Sequence, residues 1–176
     1  MNQGKLPMIL RILDDQNRLL ERADQKAISL LATLGVFAAF FIAYYKSVPV
    51  NPFTITLIII YLLSALTAIT QAIMAINPRI RSKTRDVKQG AQATFFAGIL
   101  RFPSTAAYKQ SLEEMLGSEE STEDAYIQQI FDVSRINASK YKYVQRTAWL
   151  IITALVTELT LVAYVFAVNM SNGAQP

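Results

Sequence analysis

Three apolar runs, set apart by strongly charged stretches, decide what this chain can fold into. Residues 27–45 and 53–76 carry no charge, and residues 148–168 carry one, Glu158. A helix rising 1.5 Å per residue needs about 20 apolar residues to cross roughly 30 Å of hydrocarbon, and each run is of that order. A soluble domain would instead interleave its apolar residues with polar ones every few positions. The fold class expected is an all-α integral membrane protein with three transmembrane helices, an N-terminal amphipathic helix and a helical cytoplasmic loop.

The expected segments are a cytoplasmic amphipathic helix over 1–26, spans at 27–45, 53–76 and 148–168, an external loop at 46–52, a cytoplasmic helical region at 77–147 and an external tail at 169–176. In the first segment Ile9, Ile12, Leu13, Leu19 and Leu20 alternate with Arg11, Asp14, Asp15, Arg18, Glu21 and Arg22. That pattern suits a helix lying on the membrane or packed on another cytoplasmic element, running straight into the first span. Pro52 fits the start of the second span, where a missing N–H costs little, and Asn77-Pro78 fits its end. Within 77–147, Ser104 is a candidate N-cap after Phe102-Pro103, Gly117-Ser118 breaks the helical pattern, and a further helix starts near Thr122.

Orientation follows from the basic residues. Lys and Arg number five before the first span, one (Lys46) between the first and second, eleven between the second and third, and none after it. The N-terminus and the long loop are therefore expected in the cytoplasm, with the chain crossing its membrane several times. The net charge of +4 has the same explanation, so nucleic acid is not an expected partner. No secretory leader is expected at the N-terminus, which mixes charges throughout.

Composition narrows the chemistry. There is no cysteine and no histidine, which removes disulfides, thiolate nucleophiles, the usual zinc sites and histidine acid-base catalysis. No Walker-type glycine loop, dinucleotide fingerprint or EF-hand occurs. The acid pairs Glu113-Glu114 and Glu119-Glu120 read as solvated helical faces. No catalytic residue, metal ligand or cofactor is assigned, and an enzyme is the least expected class. Asn137-Ala138-Ser139 matches a glycosylation acceptor but falls on the cytoplasmic side.

Glu158 is the most informative single residue, because it sits near the bilayer midplane, where an ionised acid costs about 2.5–3.5 kcal/mol. Its polar neighbours by depth are Ser64 and Thr67 of the second span and Thr33 of the first. Two readings stand: a pore or gating group, or a protonated acid hydrogen-bonded to one of these neighbours. Small residues recur every fourth position at Gly35, Ala39 and Ala43 and at Ser64, Ala68 and Ala72. Packing of a helical hairpin explains them first, and an assembly face for several copies second. Three spans cannot readily enclose an aqueous path, so any conducting or disrupting activity calls for a homo-oligomer.

The cytoplasmic part mixes cations with aromatics: Arg79, Arg81, Lys83, Arg85, Lys88 and Arg101 with Phe95, Phe96 and Phe102, then Arg135, Lys140, Lys142 and Arg146 with Tyr141 and Tyr143. Membrane anchoring explains these residues, and so does a site for an anionic ligand with a ring, which wants phosphate donors beside a stacking surface.

Three groups of residues carry a resemblance: Arg22-Ala23-Asp24-Gln25-Lys26-Ala27 entering the first span, Phe95-Phe96-Ala97-Gly98-Ile99 after the second, and Val133-Ser134-Arg135-Ile136 followed by Lys140-Tyr141 before the third. In order and spacing, over residues 18 to 168, they resemble the transmembrane effectors of Pycsar antiphage systems, the PycTM family. Ala97 departs from the pattern, which has glycine in a Phe-Phe-Gly run. The resemblance implies a defence effector whose functional partner is a pyrimidine nucleotide cyclase. Cyclic UMP or cyclic CMP, the activating ligand, would trigger it to impair the inner membrane and abort infection. If the nucleotide binds this chain, the candidate residues are Asp24, Lys26, Arg101, Arg135 and Lys140; for Asp24 and Lys26 an ion pair at the membrane boundary is the plainer reading. The rival classes are a small ion channel or transporter subunit using Glu158, and a membrane adaptor that recruits a soluble partner.

Overall fold

The computed structural model describes residues 4–77, 96–100 and 102–173. Among them every regular element is helical and no strand occurs. We number the α-helices α1 (Leu6–Tyr44), α2 (Pro52–Ile76), α3 (Phe96–Ile99), α4 (Thr105–Leu116) and α5 (Glu119–Gly173), with a short 3₁₀ turn at Tyr45–Ser47. Three of them, α1, α2 and α5, are long and apolar enough to cross a membrane. The expected amphipathic segment and first span form one helix, α1. The helix expected from Thr122 begins at Glu119, and α5 runs on to Gly173, into the stretch read as a polar tail.

The chain divides into two compact units, one made of Met1–Arg22 and Pro78–Ser139 and the other of Ala23–Asn77 and Lys140–Pro176. In the second unit the buried positions follow three-and-four spacing on every helix: Ala23, Ala27 and Leu34 on α1; Thr54, Tyr61, Ser64, Ala68, Ala72 and Ala75 on α2; Lys140, Val144, Thr147, Ile151, Ala154, Glu158, Leu161 and Val165 on α5. This is the seam pattern of helices packed knobs-into-holes at a shallow angle. Leu34, Tyr61, Ala68, Ile151 and Ala154 form one core cluster, and Ala23, Ala27, Ala75 and Val144 another. Alanine dominates because apolar burial gains little between helices already in lipid, so close backbone approach and dispersion hold them.

The outward faces carry Val36, Phe40 and Ile42 on α1, Leu62, Leu63 and Leu66 on α2, and Trp149, Val156, Leu159 and Phe166 on α5, all exposed. So much exposed apolar surface fits hydrocarbon, not water, as the solvent. Outward threonines are compatible with it, because Thr33, Thr56, Thr67, Thr70, Thr153 and Thr160 each donate to a carbonyl one turn back on their own helix.

The α1–α2 connection is tightly specified. Asn51 accepts from the Thr54 N–H at 2.9 Å while the Thr54 hydroxyl accepts from the Asn51 N–H at 3.1 Å, a capping box, and Pro52 takes the first helical position. Asn51 Nδ2 also donates to the Tyr164 hydroxyl at 2.9 Å, joining the start of α2 to α5.

In the first unit, Ile9 and Leu13 on α1 are buried, as are Val133 and Asn137 on α5. Asn137 donates to the Gln16 carbonyl at 2.8 Å, so the start of α1 is packed against protein. Ser104 caps α4 by accepting from the Ala107 N–H at 3.2 Å, as expected, and Gly117-Ser118 separates α4 from α5. Met115 and Ala125 form a small core, beside which the Thr122 hydroxyl donates to the Met115 carbonyl at 3.1 Å.

Candidate functional site

Two polar constellations interrupt the apolar seams of the second unit. The first lies where the spans meet their charged flanks. Lys140 follows the α5 seam one turn before Val144, and Asp24 follows Ala23 on α1, so the two side chains meet: Lys140 Nζ donates to Asp24 Oδ1 at 2.5 Å. The lysine side chain is 9% exposed and the aspartate 30%. Both charges are therefore neutralised locally, beneath a floor of Ala23, Ala27, Ala75 and Val144. Beside them Lys26 Nζ stands 5.6 Å from the centre of the Tyr141 ring, a cation-π contact.

Of the five ligand-binding candidates, the structure brings Asp24 and Lys140 together and sets Lys26 on the neighbouring ring. Arg135 belongs to the first unit, where its guanidinium lies 5.8 Å from the Phe131 ring one turn back on α5. Arg101 falls outside the described residues, as do Arg79, Arg81, Lys83, Arg85, Lys88 and Phe95. The plainer reading pairs Asp24 with Lys26; the structure corrects the partner, since Asp24 is paired with Lys140. Lys26 lies two positions on from Asp24, about 200° around the helix, which turns it away from Asp24.

The second constellation lies deeper in the apolar runs. Glu158 is 5% exposed, one turn beyond Ala154 on the α5 seam, and Tyr61 on α2 is 3% exposed and packs in the cluster that contains Ala154. Glu158 Oε2 and the Tyr61 hydroxyl are both buried without a hydrogen-bond partner. The Tyr61 ring is fixed by stacking on Phe41, with centroids 4.3 Å apart.

Ser64 is buried on the same face and donates to the Tyr61 carbonyl at 2.9 Å. Thr67 and Thr33 are exposed and bond back to Leu63 and Ser29, so neither is turned inward. Tyr61 is the residue that sequence reasoning missed. Its signal was available: it lies seven residues before Ala68, on the stripe of Ser64, Ala68 and Ala72.

That stripe is buried, as hairpin packing requires. The other is not: Gly35, Ala39 and Ala43 are exposed, and a Cβ on Gly35 would meet nothing within 4 Å. The hairpin reading is thus corrected for α1, where Ala27, Leu30 and Leu34 face inward instead, about a quarter-turn away.

Among the described residues no three acidic side chains gather in a way that could hold a metal ion. No curated protein and no solved structure matches the chain. The sequence profile of the Pycsar effector protein domain, PycTM, matches residues 8–167, beginning ten residues before the stretch from 18 to 168 that carries the resemblance. That match takes in both polar constellations and all three long helices, and with it the chain belongs to the Pycsar effector family, PycTM, as a multi-pass membrane effector of antiphage defence.

Proposed function

We propose that a cyclic pyrimidine nucleotide, cyclic UMP or cyclic CMP made by a partner cyclase, activates this protein, and that several copies then impair the bacterial inner membrane and abort the infection. The observation that carries the reading is the family match over residues 8–167. The distribution of basic residues supports a cytoplasmic N-terminus and loop, the side on which a soluble nucleotide would arrive. An assembly is needed because alanines close the seams within one copy, and the outward Gly35, Ala39 and Ala43 offer a smooth face to a neighbour.

For the ligand, Lys140, Asp24 and Lys26 are the supported candidates. A phosphodiester anion that competes with Asp24 for Lys140 would exchange one charge-assisted bond for another and release α1 from α5 at the foot of the spans. Lys26 and Tyr141 would then supply a second cation and a ring. The proposed role needs no bond-making chemistry from the chain.

Dye release from liposomes carrying the purified protein tests the proposal, with cyclic UMP, cyclic CMP, cyclic AMP and no ligand side by side. Release with a cyclic pyrimidine nucleotide alone is expected. Silence with every nucleotide rejects direct gating and favours an adaptor. The buried acid at Glu158 favours a second reading, a channel or transporter subunit. Release that needs no nucleotide and disappears in Glu158→Gln would establish it.

A further inference from the structure

Polar groups inside the spans fall into two sets that are satisfied differently. On the outer faces Thr33, Thr56, Thr67 and Thr160 each donate to a carbonyl of their own helix, so those hydroxyls need nothing from the hydrocarbon. Within the second unit three side-chain atoms are enclosed with no hydrogen-bond partner: Gln71 Oε1 and the Tyr61 hydroxyl on α2, and Glu158 Oε2 on α5. Orphaned polar atoms are rare in folded proteins, and hydrocarbon offers no water in compensation. Groups kept to hold helices together are bonded across the seam, as Lys140 is to Asp24 and Asn51 to Tyr164. These three are not.

Their placement along the bundle is regular. Asn51 is bonded to Tyr164 at one end and Ala75 packs with Val144 toward the other, so α2 and α5 run antiparallel past one another. From buried Thr54, α2 descends about 10 Å to Tyr61, about 5 Å to Ser64 and about 10 Å to Gln71. Gln71 lies one turn above Ala75, as buried Thr147 does above Val144, and Lys140 is two turns below Thr147. Polar side chains thus recur along the seam with no apolar stretch longer than about two turns. Between them stand Ala68, Ala72 and Ala154, fully buried. Alanines hold helices in lipid by close packing alone, so parting them exposes small methyl groups and forfeits no large apolar contact.

We propose that this seam is the hidden lining of a water path: on activation α2 parts from α5, and water enters and hydrogen-bonds Tyr61, Gln71 and Glu158. The seam faces of several copies then enclose the path that three helices alone do not. The inference rests on the nucleotide-triggered effect on the membrane and says which face of the spans produces it. The apolar outer faces stay in lipid throughout.

The chain has no cysteine, so one introduced thiol is the only one, and a charged, membrane-impermeant thiol reagent reports where water reaches. Ser64→Cys and Thr157→Cys place it in the seam on two helices, with Ala68→Cys as a third position should either fail to act. Leu66→Cys and Leu159→Cys, each two positions on and about 200° around the helix, place it on the exposed outer face. Labelling and membrane potential are read in the same bacteria, carrying the full chain with an active pyrimidine cyclase or its dead variant. With the active cyclase the cells should depolarise and seam labelling should rise about tenfold or more, as expected when a minor state becomes the main one. The outer positions should stay unlabelled. Depolarisation with the seam unlabelled, or with both faces labelled alike, would overturn this inference and leave the nucleotide reading standing. Equal seam labelling with the dead cyclase would overturn it too. No depolarisation in any variant or in the unsubstituted chain would reject the nucleotide reading and this inference with it.

Discussion

Removing the charge at Asp24 is the perturbation whose consequence the structure defines most fully. Exposed ion pairs are worth about 0.2–1 kcal/mol, while stranding one member of a fully buried pair costs about 3–5 kcal/mol. The pair here lies between, with Lys140 nearly enclosed and Asp24 about one-third open to solvent. Discounting for that opening gives about 2 kcal/mol for Asp24→Ala, on the order of a 30-fold change in the folding equilibrium. The cost arises from the ammonium left behind, so Lys140→Met, which removes the charge and keeps the stem, should be cheaper. Adding it to Asp24→Ala should recover much of the loss. A double-mutant cycle by denaturant unfolding in micelles, followed by circular dichroism, should therefore give a coupling of about 1–2 kcal/mol. Additivity within about 0.3 kcal/mol would refute the claim that the two charges depend on one another.

Other perturbations follow from the same geometry. Asn51→Ala removes the α2 cap and the bond to Tyr164, and should lower stability by about 1–2 kcal/mol in the same unfolding assay, whereas Thr56→Ala, which loses only a bond within its own helix, should stay within about 0.5 kcal/mol. Ala154→Leu forces a large side chain into a fully buried seam position and should cost about 1–3 kcal/mol or more. Gly35→Leu meets open space, so the isolated chain should keep its stability, and crosslinking in liposomes should show fewer assembled copies. Gln16→Ala leaves the Asn137 amide with the Gln16 carbonyl alone, and should cost about 1 kcal/mol.

Much of the fold was legible because hydrocarbon imposes a simple rule: charges must leave a span, so long uncharged runs locate helices without reference to packing. The run of α1 from its charged half into its apolar half was legible for the same reason, since nothing at residues 23–27 breaks a helix. Which face of a span turns inward was harder to read. Apolar residues surround each helix, and the signal is confined to three-and-four spacing of small or polar side chains. The Gly35 stripe misled because regular spacing identifies a face without saying what covers it. Tyr61 was passed over because neighbours for Glu158 were sought among small hydroxyl residues by depth alone. Lys140 counts as one more basic residue in a sequence; only the meeting of α1 with α5 shows that its charge is spent on Asp24.

The central claim is that a cyclic pyrimidine nucleotide turns this protein against the membrane that holds it. Membrane potential, followed with a voltage-sensitive dye in bacteria expressing the chain together with either an active pyrimidine cyclase or its catalytically dead variant, tests that claim most directly. The account predicts depolarisation only when the chain and the active cyclase are both present. Depolarisation that is equal with the dead cyclase, or a potential that holds while the nucleotide accumulates, would contradict it.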